Sequence, residues 1–190
     1  MIIFRHGTLN NFAHSKIRSH QIRFYPFGYL SPAMNMGSGK DIRDVLFEAG
    51  ISIDDVVSAA LELYVPHPGV ENRERADEVF RRELDIALAD PNLALLIYAG
   101  VLLEEEGKRA SLPNMNSSDY ERDLTYLIAD EVIGMTIAKY VGGYKGTFDY
   151  VRYDKAKPGI LGVLGPFMDD VIAGLIGGVS ANMYTRAVFD

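Results

Sequence analysis

Asp130-Glu131, Asp154 and Asp169-Asp170 place five carboxylates inside segments that are otherwise apolar and punctuated by glycine. Aspartate and glutamate are seldom fully buried unless they are paired or hold a metal. The cations nearest to them in pattern, Lys157 and Arg152, cannot balance five acids. A divalent cation can. The chain has no cysteine, and three of its four histidines precede residue 21, so zinc would have to rely on those few imidazoles. Oxygen ligands suit Mg²⁺, with Mn²⁺ as the alternative. Such an ion acidifies a bound water, while a carboxylate orients or deprotonates that water. The chemistry expected is hydrolysis of an anionic substrate.

The elements that must position these groups read as helices throughout. Asp41 to Glu48 forms a short helix stopped by Gly50. Ser52-Ile53-Asp54-Asp55 is a helix start, with Ser52 as cap and two acids at the positive end of the dipole, and its helix runs to about Tyr64. Another spans about Asn72 to Leu88 with Ala76, Val79, Phe80, Leu84 and Leu88 at helical spacing. Asp90-Pro91 opens a helix that stays apolar until Glu104-Glu105-Glu106, and Gly107 is expected to end it. Three acids at a helix C-terminus oppose the macrodipole, which marks at least one as serving a site. Residues 108–123 form a long polar loop, expected to act either as a lid or as a plain connection.

A central helix is expected from Leu124 to Val141, ended by Gly142-Gly143, with Asp130 and Glu131 in its middle. An aromatic helix follows from Tyr144 to Tyr153 and terminates at Lys157-Pro158-Gly159. Pro166 opens the last helix, with Asp169 and Asp170 in its first turn. Acids there complement the helix dipole even without a metal, so the residues alone leave both readings open. Ala173, Gly174, Gly177, Gly178 and Ala181 supply a small residue every three or four positions. They permit close helix approach within a bundle, and they also leave room for a homodimer.

Three blocks in this order, Asp130-Glu131-Val132-Ile133-Gly134, Asp154-Lys155-Ala156-Lys157-Pro158 and Gly165 to Gly174, resemble the phosphatidylglycerophosphatase A family. The likeness covers about residues 40 to 185 and is nearest to the soluble branch that includes the archaeal α-ribazole-phosphate phosphatases. It implies an all-α fold, a compact bundle of about six helices with an irregular N-terminal extension. It implies that Asp130, Glu131, Asp154, Asp169 and Asp170 are metal ligands. Glu104 joins them through the match of Gly100-Val101-Leu102-Leu103-Glu104 to a family block. Asp130, Glu131, Asp170 and Lys157 would then be catalytic, and Lys157 with Arg152 would bind the phosphate. In the membrane-bound branch the arginine sits one residue further from the aspartate than Arg152 does from Asp154. The activity implied is Mg²⁺-dependent hydrolysis of a phosphate monoester, with α-ribazole 5′-phosphate of cobamide assembly as the first substrate.

Charge is unevenly distributed. Residues 1–40 hold five basic side chains and no acid, so the net −7 of the chain divides into +5 there and −12 in residues 41–190. The sequence therefore reads as a basic, aromatic extension over residues 1–40 and a helical phosphatase-like domain over residues 41–190. An acidic body argues against nonspecific nucleic-acid binding. In a second functional reading, a lipid phosphatase of the phosphatidylglycerophosphate type, the basic segment supplies a peripheral membrane contact. A third reading is a non-catalytic metal- or nucleotide-binding helical protein. No signal peptide and no apolar run of the ~18–20 residues that a span requires are visible, which makes the cytoplasm the expected compartment. Arg5-His6-Gly7 imitates the entry strand of histidine phosphatases, but no histidine follows His67 to act as the second catalytic imidazole. Gly37-Ser38-Gly39-Lys40 imitates a phosphate-binding loop, but Asp41 stands where Ser or Thr should be.

Overall fold

The computed structural model describes residues 39–121 and 127–189. The expected extension over residues 1–40 lies outside them apart from Gly39 and Lys40. The described residues form seven α-helices and no strand: α1 (Ile42–Glu48), α2 (Ile53–Glu62), α3 (Arg73–Leu88), α4 (Pro91–Lys108), α5 (Ser117–Glu121), α6 (Ala129–Ala156) and α7 (Pro166–Arg186). A 3-10 turn at Gly159–Gly162 joins the last two.

Local chemistry sets most of the boundaries. Ser52 and Asp55 satisfy each other's backbone N–H groups in a capping box at the start of α2. Asn72 accepts from the Arg75 N–H at 2.8 Å to open α3, and Asp90 accepts from the Asn92 N–H at 2.8 Å to open α4, with Pro91 at the first helical position. Helix α7 is the hub. It is buried from Phe167 to Ala181 and packs against α2, α3, α4 and α6. Phe80, Leu84, Ile97, Ile137, Ile172, Leu175 and Ile176 fill the space around it at 1% exposure or less.

The stretch over residues 108–123, expected to be a loop, contains helix α5 (Ser117–Glu121), and two boundaries also differ from expectation. Gly107 does not end α4, which continues to Lys108. A Cβ at Gly107 would lie 2.6 Å from Tyr120 Cζ, so the glycine admits the Tyr120 ring of α5 rather than stopping a helix. The second difference is that α6 begins at Ala129, since Leu127 and Ile128 are not helical. Asp130 and Glu131 therefore occupy the first turn of their helix and not its middle. The expected glycine break is present: Gly143, at φ 62° and ψ −151°, interrupts α6 in a left-handed conformation that glycine adopts without strain.

The two arms of α6, residues 129–142 and 144–156, run in opposite senses along α7. On the first arm, Gly134 meets Asp170 and Gly174, and Gly142 meets Gly178. On the second, Gly146 meets Gly178, Tyr150 meets Gly177, and Lys157 just beyond pairs with Asp169. A Cβ at Gly134 would lie 2.5 Å from the Asp170 carbonyl oxygen, one at Gly142 2.7 Å from the Gly178 oxygen, and one at Gly177 2.5 Å from the Tyr150 nitrogen. The small-residue face of α7 is thus consumed within the chain. Gly174→Ala is expected to destabilise the fold by about 1–3 kcal/mol, the usual cost of overpacking a core. Urea denaturation measures this, and a stability equal to that of the parent chain would show that the helices are less tightly apposed.

Candidate metal centre

The first arm of α6 and α7 run parallel, so their N-terminal turns lie at the same end of the bundle. One carboxylate oxygen from each of Asp130, Glu131 and Asp170 comes within 4.8 Å of the others there. Asp130 and Asp170 are 1% and 4% exposed, and Glu131 is half-buried. Asp130 accepts from the Glu131 N–H at 3.0 Å, and Asp170 accepts from the Tyr150 hydroxyl at 2.6 Å. Glu131 Oε2 is buried without a hydrogen-bond partner.

Burial pushes the Asp130 carboxyl up to about 8, reinforced by the side chain and charge of Glu131 and by the charge of Asp170, against the lowering effect of the Glu131 backbone N–H. Burial also pushes Asp170 up to about 7, against the lowering effect of the Tyr150 hydrogen bond and with the charges of Asp169, Asp154 and Glu131. Tyr150 is itself raised by burial and by its bond to Asp170. Two helix N-termini and one tyrosine thus leave these carboxylates short of counter-charge. No ion pair to Asp130, Glu131 or Asp170 occurs among the described residues. An all-oxygen donor set of this spacing, with an orphaned buried oxygen, fits a hard divalent cation such as Mg²⁺.

The remaining sequence candidates fall around this cluster. Lys157, the left-handed C-cap of α6 at φ 42°, is ion-paired with the buried Asp169. Burial lowers the Lys157 pKa, but the hydrogen bond to Asp169 and the charges of Asp169, Asp170 and Asp154 outweigh it, and the net shift is upward. Asp154 is half-buried, and its charge bears on Asp170, Tyr150 and Lys157, but it is not one of the three converging carboxylates.

The structure does not bring Glu104 or Arg152 to the cluster. Glu104 is buried under Gly165 and accepts from the Phe167 N–H at 3.2 Å, which holds the first turn of α7. Lys108 lies 3.2 Å from its other oxygen. The three acids at the end of α4 are thereby answered within a turn, since Arg109 pairs with Glu106 at 2.9 Å and Glu105 at 3.4 Å. A cleft of about 440 Å³ beside Glu104, lined also by Glu48, Lys108, Ile160 and Met168, contains none of the three cluster carboxylates. Arg152 donates to Asp149 and to the Leu63 carbonyl, each at 2.9 Å. Two residues along a helix are ~200° apart, so Arg152 faces away from Asp154. Tyr150 is the contact to the cluster that sequence reading missed. Its signal was its place four residues before Asp154, on the same helix face.

Fold and site together define an all-helical protein with a buried, metal-compatible acidic centre. The chain belongs to the family of the uncharacterized protein MJ1330 of Methanocaldococcus jannaschii, with 36% identity over 132 residues that cover 67% of this chain and 99% of that protein. No protein-family model matches the chain. Solved structures show the same architecture. The low temperature requirement C protein of Listeria monocytogenes superposes with a TM-score of 0.64 at 25% identity, over 79% of this chain and 96% of that one. A protein of unknown function from Bacillus stearothermophilus and the protein YpjQ from Bacillus subtilis superpose at 0.64 and 0.63, both at 21% identity and 76% coverage of this chain. These neighbours share the all-helical fold. No single helix among the described residues is long and apolar enough to cross a membrane.

Folding raises the Asp130 and Asp170 pKa values, so between about pH 4 and 8 the folded, metal-free protein holds protons that the unfolded chain has released. This contribution to stability is complete below the unfolded pKa and is lost as pH rises through about 7 and 8. In a chelator, the melting temperature is therefore expected to fall from pH 5.5 to pH 8.5. Millimolar Mg²⁺ should restore it, and by more at pH 8.5, because ligation requires the deprotonated forms. A melting temperature that is flat or rising over this range without metal, or a Mg²⁺ effect that is larger at pH 5.5, would contradict the site.

Proposed function

We propose that the chain is a Mg²⁺-dependent phosphoric monoester hydrolase of the phosphatidylglycerophosphatase A-related type, in its soluble branch. The observation that carries this reading is the convergence of Asp130, Glu131 and Asp170 from two helices into a largely buried group that, among the described residues, forms no ion pair. These three residues would hold the ion. When bound, the ion polarises the phosphoryl oxygen and makes water acidic enough to act near neutral pH. The side chain of Lys157 is 39% exposed although it pairs with Asp169, so its ammonium has donors left for the non-bridging oxygens of the phosphate. Asp154, whose charge bears on Asp170 and Lys157, is an acid outside the cluster that is available to orient the attacking water. Tyr150 donates to one oxygen of Asp170 and so fixes the carboxylate that would help hold the ion.

By resemblance, the first substrate is α-ribazole 5′-phosphate, with phosphatidylglycerophosphate as the lipid counterpart. A phosphate-release screen over both, with and without Mg²⁺, distinguishes them. Asp130→Asn and Asp170→Asn are each expected to lower turnover by more than about 100-fold, beyond the 10–100-fold typical of groups that only support a ligand. Their helical circular dichroism should stay unchanged. Lys157→Ala should lose activity, whereas Arg152→Ala should stay within about threefold of the parent, since its guanidinium is engaged elsewhere. Full activity in both asparagine variants would overturn the proposal.

A further inference from the structure

Among the described residues, the outer face of α6 carries an exposed apolar surface, larger than the row of Leu95, Tyr98 and Leu102 on α4. Ile128 just before the first arm is 61% exposed, and Val132 and Met135 on it are 49% and 38% exposed; Tyr144, Phe148 and Val151 on the second arm are 74%, 78% and 37% exposed. Within each arm these residues recur at three- and four-residue spacing, so each arm presents one outward row. The rows adjoin: Lys139, which continues the first, sits 4.8 Å over the Tyr144 ring that begins the second. The opposite faces of both arms are committed to α7 through Gly134, Gly142, Gly146 and Tyr150.

We infer that this face is where two copies of the chain associate. The six side chains together expose on the order of 700 Å², more than the few hundred Å² usual for a patch on a monomer. That is close to the roughly 800 Å² per partner that a stable protein interface buries. Two of the six are large aromatics on the second arm, the residue type that carries most binding energy in such contacts. An anionic bilayer fits the face less well, because the chain carries a net −7. The contact would be isologous, α6 on α6, so it requires no second surface. It differs from a dimer through the glycines of α7, which are buried inside one chain.

Sedimentation equilibrium on the full-length protein tests this. The expected result is twice the chain mass at micromolar concentration. Phe148→Glu and Val132→Glu should each raise the dissociation constant at least about tenfold while circular dichroism stays unchanged, since both side chains are exposed. Phe47→Glu, at a site 72% exposed on α1, should leave the mass unchanged. A monomer at about 100 µM, a dimer that survives both α6 substitutions, or equal loss in Phe47→Glu would overturn the inference. So would Phe148-dependent sedimentation of the protein with vesicles of phosphatidylglycerol and phosphatidylcholine.

Discussion

Backbone-to-backbone contact between α6 and α7 is the constraint on which the rest depends. Helices whose facing side chains are hydrogen atoms approach more closely than the 8–10 Å usual for side-chain-mediated packing. Gly134 and Gly174 face one another, and Gly142 and Gly146 both rest on Gly178. The first of these contacts lies one turn from Asp130 on α6 and one turn from Asp170 on α7. The closeness of the helices and the closeness of the carboxylates are therefore a single geometric fact. Moving the helices apart to fit even a methyl group would also separate the acids.

What the packing brings together, electrostatics resists. Carboxylates at 1% and 4% exposure lose most of their hydration, and each feels the other's charge. The first turns of α6 and α7 supply partial positive charge, Tyr150 donates one strong hydrogen bond, and Lys157 is taken up by Asp169. These contributions do not suffice to keep Asp130 and Asp170 in the usual carboxylate range. A divalent cation would complete the balance, and the proposed phosphatase reading rests on the chemistry such an ion would allow. Glu104 takes part indirectly, because its carboxylate accepts from the Phe167 N–H and steadies the turn that carries Asp169 and Asp170.

Where the structural signal is local, the sequence showed it. Ser52, Asn72 and Asp90-Pro91 announce helix starts because their side chains act within three residues. Gly142-Gly143 announces the break because only glycine is at ease with the backbone found there. Asp130, Glu131 and Asp170 stood out as acids in apolar surroundings, and these three converge. Features that depend on tertiary partners were not legible. Gly107 resembled a helix stop, yet its purpose is room for Tyr120. The start of α6 at Ala129 carries no side-chain cap and gave no sign. Arg152 lies two residues from Asp154, but which side of the helix faces α2 and which faces α7 is settled only by the packed bundle. The glycine stripe of α7 showed that something would approach closely without showing that α6 would.

The most direct measurement is anomalous diffraction at the manganese absorption edge from crystals soaked in Mn²⁺ near pH 8. The account predicts a peak between α6 and α7, within coordinating distance of Asp130, Glu131 and Asp170 together. A map with no peak there, or with manganese bound only at acids elsewhere on the protein, would contradict it.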